Sequence, residues 1–138
     1  MQTVTFPGRY ENLEEISKLV VDSAKSAGMD EDSVYALQLA VDEACSNIIE
    51  HAYGGEGIGE IKVTIQPTQR EFIVILRDRG QPFDPDQVPE PTRNVPLEEI
   101  EPRGVGLYLI RKMMDEVRFD FSSETGNVLT LVKRIKPS

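Results

Sequence analysis

The chain has 138 residues, of which 39% are hydrophobic and 28% are charged, and its formal net charge is −9. This size and composition are typical of one globular domain with a single core. Nonspecific binding to nucleic acid or to anionic lipid needs a basic footprint, so the acidic balance argues against both partners.

Cysteine usage and hydropathy bear on the compartment. The only cysteine, Cys45, cannot form an internal disulfide, and no cluster of cysteine and histidine suggests zinc. No apolar run approaches the ~20 residues of a membrane span. The first residues, MQTVTFPGRY, lack the basic and then apolar character of a signal peptide. We therefore expect a cytoplasmic protein without a membrane partner.

The first half of the chain predicts a strand, two helices and a hairpin. Residues 3–6 form a short strand candidate, and apolar residues at helical spacing predict a helix over 12–27. A second helix begins near the acids of 30–32, and its apolar stripe runs from Leu37 to Ala52. Beyond the glycines of 54–59, two apolar runs predict the hairpin. Residues 60–66 alternate as a half-buried strand, whereas 72–76, FIVIL, are apolar throughout, as a central strand would be.

The second half opens with a long segment rich in proline and acids, which we interpret as a mobile lid over about 82–103. A helix over 104–115 and strands at 117–121 and 128–132 follow. The order β-α-α-β-β-lid-α-β-β predicts an α+β two-layer sandwich, with a mixed sheet covered on one face by helices. We expect one domain spanning 1–138.

The second helix carries Glu43, Asn47 and His51, each four residues from the next, so the three side chains share one helix face. Glu43 and Asn47 fall at the margin of the apolar stripe. Three readings are open for this pair. It is a solvated face, it binds magnesium through oxygen ligands, or its carboxylate acts as a general base.

Two further stretches carry candidate chemistry. In RDRGQPFD, Asp78 ends the most apolar strand and Gly80 follows two residues later, an arrangement typical of a turn. It also suits a carboxylate that accepts a hydrogen bond from an exocyclic amine while the glycine admits a ligand to the backbone. In RGVGLYL, a GxG before a helix aims free N–H groups at an anion. This GxG belongs neither to a GxGxxG nor to a Walker A motif.

Taken in this order, the E-x-x-x-N helix, the strand with DxG, the lid and the GxG helix resemble a known ATP-binding fold. It is the Bergerat fold of gyrase, the heat-shock 90 chaperones, histidine kinases and MutL proteins (the GHKL superfamily). The resemblance covers about residues 6–133. The spellings DEACSNIIEHAY, DRGQPFD and RGVGLYLIRKMMDEV are similar to those of the bacterial anti-sigma factor serine kinases.

The resemblance implies ATP and Mg²⁺ as cofactors and assigns roles around the nucleotide base. Asn47 would bind the magnesium ion, and Asp78 would bind the adenine amino group. Gly80 would let the base approach. Thr130, in VLTLVK, matches the position from which this fold often supplies a hydroxyl near adenine.

The same resemblance assigns the phosphate end of the site. Gly104 and Gly106, with Leu107 beside them, would lie at the phosphates, and Glu43 would be the general base for serine phosphorylation. Arg103 either neutralises the acidic lid or reaches the γ-phosphate when the lid closes. His51 is read as shaping the pocket or capping the helix, in preference to a phosphoacceptor role.

The implied function is an anti-sigma factor that switches partners. It would phosphorylate a serine of a small anti-anti-sigma antagonist, bind a sigma factor, and form a homodimer. Two alternatives stay open. The first is a module that binds ATP and sequesters a partner without phosphotransfer. The second is a stand-alone catalytic domain that serves a separate histidine-phosphorylating partner.

Overall fold

The computed structural model describes residues 1–82, 102–121 and 126–135, and for residues 102–105 it describes the backbone alone. The predicted lid therefore lies, apart from its ends, outside the described residues. Within the described ranges no helix is long and apolar enough to cross a membrane.

The element order agrees with the prediction. It comprises β1 (Gln2–Pro7), a 3-10 turn (Tyr10–Asn12), α1 (Leu13–Ser26), α2 (Glu31–Asn47), a π-helical turn (Ile48–Ala52), β2 (Glu60–Pro67), β3 (Glu71–Asp78), α3 (Pro102–Met113), β4 (Glu116–Asp120) and β5 (Asn127–Arg134). The α+β two-layer architecture is confirmed, because the helices cover one face of a five-stranded sheet.

The sheet is antiparallel throughout, so the prediction of a mixed sheet is wrong. Its strand order is β1-β2-β3-β5-β4, and all four neighbouring pairs are antiparallel. β4 does run in the same direction as β3, because the helix between the two strands returns the chain as a helical crossover can. However, β5 pairs between these two strands, so no neighbours run parallel. The predicted hairpin is β2 with β3, and β3 is the middle strand.

The core lies between the sheet and the helices. Along β3, alternate residues are buried and their neighbours are not, so the even-numbered side chains face the helices. The apolar stripes of α1 and α2 pack on this face. The largest fully buried side chains come from α1, α2, the π-helical turn, α3, β2, β3 and β5, namely Phe72, Ile16, Leu37, Ile49, Ile61, Leu76, Ile110, Leu131, Val20, Val41, Val63 and Val74.

The end of α2 departs from the regular helix that the sequence predicts. The chain passes into a π-helical turn, closed by a hydrogen bond from the Tyr53 N–H to the Ile48 carbonyl (2.9 Å). Turns of this kind often occur at functional sites, because they change the direction of side chains and carbonyls within a helix. Here the turn brings the carbonyl of Ala52 to the loop after β3.

The helix α3 begins at Pro102, a favoured residue at a helix start. Gly104 and Gly106 therefore lie inside the helix, which corrects the prediction that GxG precedes it. Gly104 still belongs to the first turn, whose N–H groups have no partner within the helix. Gly106 lies two residues further along the helix, where it packs against α2.

Candidate functional site

Asp78 lies at the end of β3, where its side chain is 7% exposed. Its Oδ1 accepts hydrogen bonds from the Gly80 N–H and from the Asn127 amide nitrogen, both at 2.9 Å. Burial raises the pKa of this carboxyl group, and the two hydrogen bonds oppose that rise. Oδ1 accepts both hydrogen bonds, so they fix the orientation of the carboxylate, and Oδ2 is its second acceptor atom.

Asn127 is a site residue that the motifs of the sequence do not mark. It is the cross-strand partner of Asp78 and opens β5. Besides Asp78, its amide nitrogen contacts the carbonyl oxygens of Gly80 (3.2 Å) and Gln81 (3.1 Å). One side chain thus holds both the carboxylate and the loop behind it. No local signal marks this asparagine, because its role depends on the strand pairing.

Thr130 does not join the site. Its cross-strand partners are Ile75 and Arg118, and Ile75 belongs to the unburied alternate positions of β3. Because residues opposite each other in a sheet point to the same face, the Thr130 side chain points away from the helices. The structure places Asn127, three residues earlier on β5, next to Asp78 instead.

Gly80 is required by close packing within the protein. A Cβ at this position would lie 2.4 Å from the carbonyl carbon and oxygen of Ala52 in the π-helical turn. The next residue, Gln81, donates its N–H to the same Ala52 oxygen at 2.7 Å. The glycine therefore lets the loop after β3 contact the end of α2. Its predicted role in admitting the nucleotide base stays a prediction.

Glu43, Asn47 and Gly106 come together where α3 crosses α2. A Cβ at Gly106 would lie 2.9 Å from Glu43 Oε2 and 3.3 Å from Asn47 Nδ2. The expected clustering of the acid and the amide on one helix face is thus present, and the glycine allows α3 to approach them. The side chains of Arg103 and Val105, earlier in α3, lie outside the described residues.

A cavity joins these residues. Its polar groups come from Asn47, Asp78 and Asn127 of the site and from Asp120, and Leu107 of α3 forms part of its wall. The rest of the lining is apolar, and comprises Ala44, Ile48, Ala52, Ile110, Phe119, Phe121, Val128 and Leu129. Apolar walls with a fixed carboxylate among them suit a planar heterocycle that carries an exocyclic amine.

The donor set for a metal ion is small. Among the described residues there is no group of three or more histidine, cysteine, aspartate or glutamate side chains that could hold a metal ion. The Asn47 amide oxygen is a hard ligand of the kind that Mg²⁺ accepts. Because Mg²⁺ keeps several waters and takes phosphate oxygens as ligands, one protein ligand is compatible with a magnesium–nucleotide complex.

His51 lies in the π-helical turn, outside the cavity lining. Its Nε2 is buried, has no hydrogen-bond partner among the described residues, and lies 3.8 Å from Glu50 Oε2. The predicted role of His51 in shaping the pocket or capping the helix stays a prediction.

Comparison with known proteins gives the family. The histidine kinase-like ATPase domain matches residues 6–133. The serine-protein kinase RsbW of Bacillus velezensis is 35% identical over 111 residues, which are 78% of this chain and 69% of that protein. The serine-protein kinase RsbW of Halalkalibacterium halodurans is 30% identical over 134 residues, 94% of this chain and 80% of that protein.

Solved structures agree on the fold. The RsbU and RsbW domains of a Mycobacterium tuberculosis protein give a TM-score of 0.64 at 15% identity, covering 100% of this chain and 34% of that one. The catalytic domain of histidine kinase ThkA gives 0.57 at 18% identity, covering 100% of both chains. The chain belongs to the histidine kinase-like ATPase family and, within it, to the family of the RsbW serine-protein kinases.

Proposed function

We propose that this protein is an ATP-dependent serine kinase that acts as an anti-sigma factor. The observation that carries the proposal is that Asn47 and the fixed carboxylate of Asp78 line one cavity, while Glu43 and Asn47 both lie against Gly106 at the contact of α2 with α3. A carboxylate suited to bind the base and an amide suited to hold a metal ion thereby line the same cavity, and the carboxylate suited to proton chemistry packs against the same glycine as that amide.

The adenine end of the site rests on Asp78. The exocyclic amine of adenine donates a hydrogen bond to its carboxylate, which Asn127 and the Gly80 N–H hold in position. The apolar walls, including Ile48 and Leu107, cover the faces of the base. A carboxylate accepts from an amine but cannot donate, so this end selects adenine over a base with a carbonyl at that position.

The phosphate end rests on α2 and the start of α3. The first turn of α3, which includes Gly104, offers backbone N–H groups and the positive end of a helix dipole to the phosphates. Asn47 would hold Mg²⁺, which supplies charge neutralisation along the phosphates when bound. Arg103 is proposed to reach the γ-phosphate from this turn. These devices supply positive potential that the chain's net charge of −9 does not.

Glu43 is the proposed general base. It accepts the proton of a serine hydroxyl as that oxygen forms a bond to the γ-phosphorus, and the bond from the phosphorus to the oxygen bridging it to ADP breaks. Phosphoryl transfer depends mainly on positioning and on charge stabilisation, so one base and a fixed nucleotide are sufficient protein machinery. Gly106 contributes by leaving room for the Glu43 carboxylate beside α3.

The proposed partners follow from the relatives, which are named serine-protein kinases RsbW. The substrate is a serine on a small anti-anti-sigma protein, and the sequestered partner is a sigma factor. We also propose a homodimer, a cytoplasmic location, and a single domain spanning residues 1–138. Partner switching then follows, because phosphorylation of the antagonist leaves the kinase available to the sigma factor.

Glu43→Gln separates the kinase from a module that only binds ATP. This variant keeps the shape of the side chain but removes its basicity. We expect serine phosphorylation to fall by at least about a hundredfold, in the range of a lost general base. Magnesium–ATP affinity, measured by calorimetric titration, should stay within about twofold of the wild type, because no proton transfer is involved.

Asn47→Ala serves as the matched variant on the same helix face. It should weaken binding of ATP in the presence of magnesium and leave the weaker magnesium-free binding unchanged. Phosphotransfer that survives in Glu43→Gln would remove the general-base role. A folded wild-type protein that binds no ATP would contradict the whole proposal.

A further inference from the structure

A second concave surface lies behind the loop that follows β3, on the side away from the nucleotide cavity. Its lining includes Tyr53, Ile58, Glu60, Lys62, Arg77 and Arg79, and of its described residues it shares only Ala52 and Asp78 with the nucleotide cavity. We call this surface the rear groove. Because the two spaces share so little lining, both can be filled at once.

The rear groove is locally basic on an acidic protein. Lys62, Arg77 and Arg79 are all exposed, and among the described residues of the lining Glu60 is the one exposed carboxylate. Within the described part of the chain none of these three cations takes part in a salt bridge. The chain has 24 acidic and 15 basic residues. The groove, with three cations that form no salt bridge with described residues, therefore has the opposite charge balance to the chain as a whole.

Two of these cations oppose each other directly. Lys62 of β2 is the cross-strand partner of Arg77 of β3, on the sheet face that the helices leave open. Like charges in this arrangement destabilise a sheet. The pair therefore weakens the isolated fold, and an anion bound between the two side chains would relieve their repulsion. Stability alone gives no reason for this pair.

Apolar side chains lie beside the charges. Ile58 is 64% exposed, and the partly buried Tyr53 belongs to the same lining. An exposed aliphatic residue beside an aromatic ring and two arginines has the composition of a protein-binding surface. A polynucleotide would meet a small basic area on a strongly acidic molecule, which opposes binding.

We propose that the rear groove binds an acidic, extended segment of a partner protein. Carboxylates of that segment would pair with Lys62 and Arg77, and an aliphatic residue between them would pack on Ile58. This inference does not depend on catalysis, because the groove opens on the other side of the Asp78 loop.

The test uses fluorescence anisotropy with a labelled short peptide of alternating glutamate and leucine, and with the same peptide carrying glutamine in place of glutamate. The variant is Lys62→Glu with Arg77→Glu. It keeps two like charges opposite each other, so its fold should be as stable as the wild type. The matched control is Lys25→Glu with Arg70→Glu, which makes the same charge change at exposed positions outside the groove.

We expect the wild type to bind the acidic peptide and not the glutamine peptide. Affinity should fall at least about tenfold in the groove variant and little in the control, because only the former loses the contacts. A second variant, Lys62→Gln with Arg77→Gln, should bind as poorly yet melt at a slightly higher temperature, since its opposed charges are gone. If Lys62 and Arg77 had only a structural role, the groove variants would not bind the peptide more weakly than the control does.

Four results would overturn the proposal. The first is a wild type that fails to bind the acidic peptide even at low salt. The second is an equal loss of affinity in the groove and control variants, which would indicate attraction by net charge alone. The third is a short single-stranded DNA that binds the groove better than the peptide does. The fourth is self-association, measured by sedimentation, that only the groove variants lose, which would make a second copy of this chain the occupant.

Discussion

The hydroxyl group of Tyr53 connects three parts of the structure near the nucleotide site. It donates a hydrogen bond to the Glu60 carbonyl oxygen (2.5 Å) at the start of β2 and accepts one from the Arg79 N–H (3.0 Å). Its ring occupies the space above Gly59, where a Cβ would lie 2.2 Å from a ring carbon. Tyr53→Phe therefore removes two hydrogen bonds and keeps the packing of the ring.

The magnitude follows from those two bonds. A neutral hydrogen bond contributes about 0.5–1.5 kcal/mol net, and at partly exposed positions water replaces much of it. We expect a loss of about 1 kcal/mol in unfolding free energy, which is roughly 4 °C in Tm for a chain of this size. Because Arg79 lies between Asp78 and Gly80, the same loss of order should weaken ATP binding by about fivefold.

The assay combines thermal melting, calorimetric ATP titration and steady-state phosphorylation. Tyr10→Phe is the matched control, because Tyr10 is 42% exposed and its hydroxyl donates to Glu50 (2.9 Å) away from the nucleotide cavity. The control should change neither Tm nor ATP affinity appreciably. In Tyr53→Phe, KM for ATP should rise while kcat stays near the wild-type value, since Glu43 and Asn47 lie elsewhere.

The outcome that refutes this reasoning is a Tyr53→Phe protein that melts lower yet binds ATP with wild-type affinity. The hydroxyl would then stabilise the fold without positioning the Asp78 loop. A fall in kcat at unchanged KM would also contradict it, because the loop would then act on the transfer step.

Three further changes test other parts of the site. Burial raises the folded-state pKa of Asp78, so its ionised form destabilises the protein at neutral pH and stability falls as pH rises through that pKa. Asp78→Asn should therefore have a larger unfolding free energy in urea than the wild type at pH 7. This difference in unfolding free energy should shrink as the pH falls toward the ordinary aspartate pKa of 3.8. The variant should also bind ATP at least about tenfold more weakly. Asn127→Ala should also lose about tenfold in ATP affinity, because a hydrogen bond to a charged group is lost; equal affinity would remove its positioning role. Gly106→Ala, which displaces the Glu43 carboxylate, should slow phosphotransfer by about ten- to a hundredfold in single-turnover assays with ATP binding retained, and a loss of binding instead would place the damage in the nucleotide pocket.

Features that depend on local periodicity were accessible from the sequence. The alternation of residues 60–66 and the stripe of α2 follow from side-chain direction in a strand and a helix, so both elements and their buried faces are as predicted. Glu43 and Asn47 were assigned to one helix face for the same reason. The family spellings then connected this face to Asp78, far along the chain.

Features that depend on strand pairing were not accessible. The antiparallel sheet, the position of Thr130 on the outer face and the contact of Asn127 with Asp78 all follow from β5 lying between β3 and β4. A shift of one residue along β5 exchanges the two faces, so a motif position alone could not select the correct side chain. The π-helical turn depends on contacts with the loop after β3, which local spacing does not encode.

The most direct test of the central claim is the chemical nature of the phosphate that the protein transfers. The purified protein would be incubated with labelled ATP, magnesium and an anti-anti-sigma protein, and the phosphoprotein would then be treated with acid. We expect label on a serine of the antagonist that survives acid, and no label with Glu43→Gln. Label that acid removes would indicate a phosphohistidine and a histidine kinase activity, and no label from an ATP-binding wild-type protein would leave only a binding module.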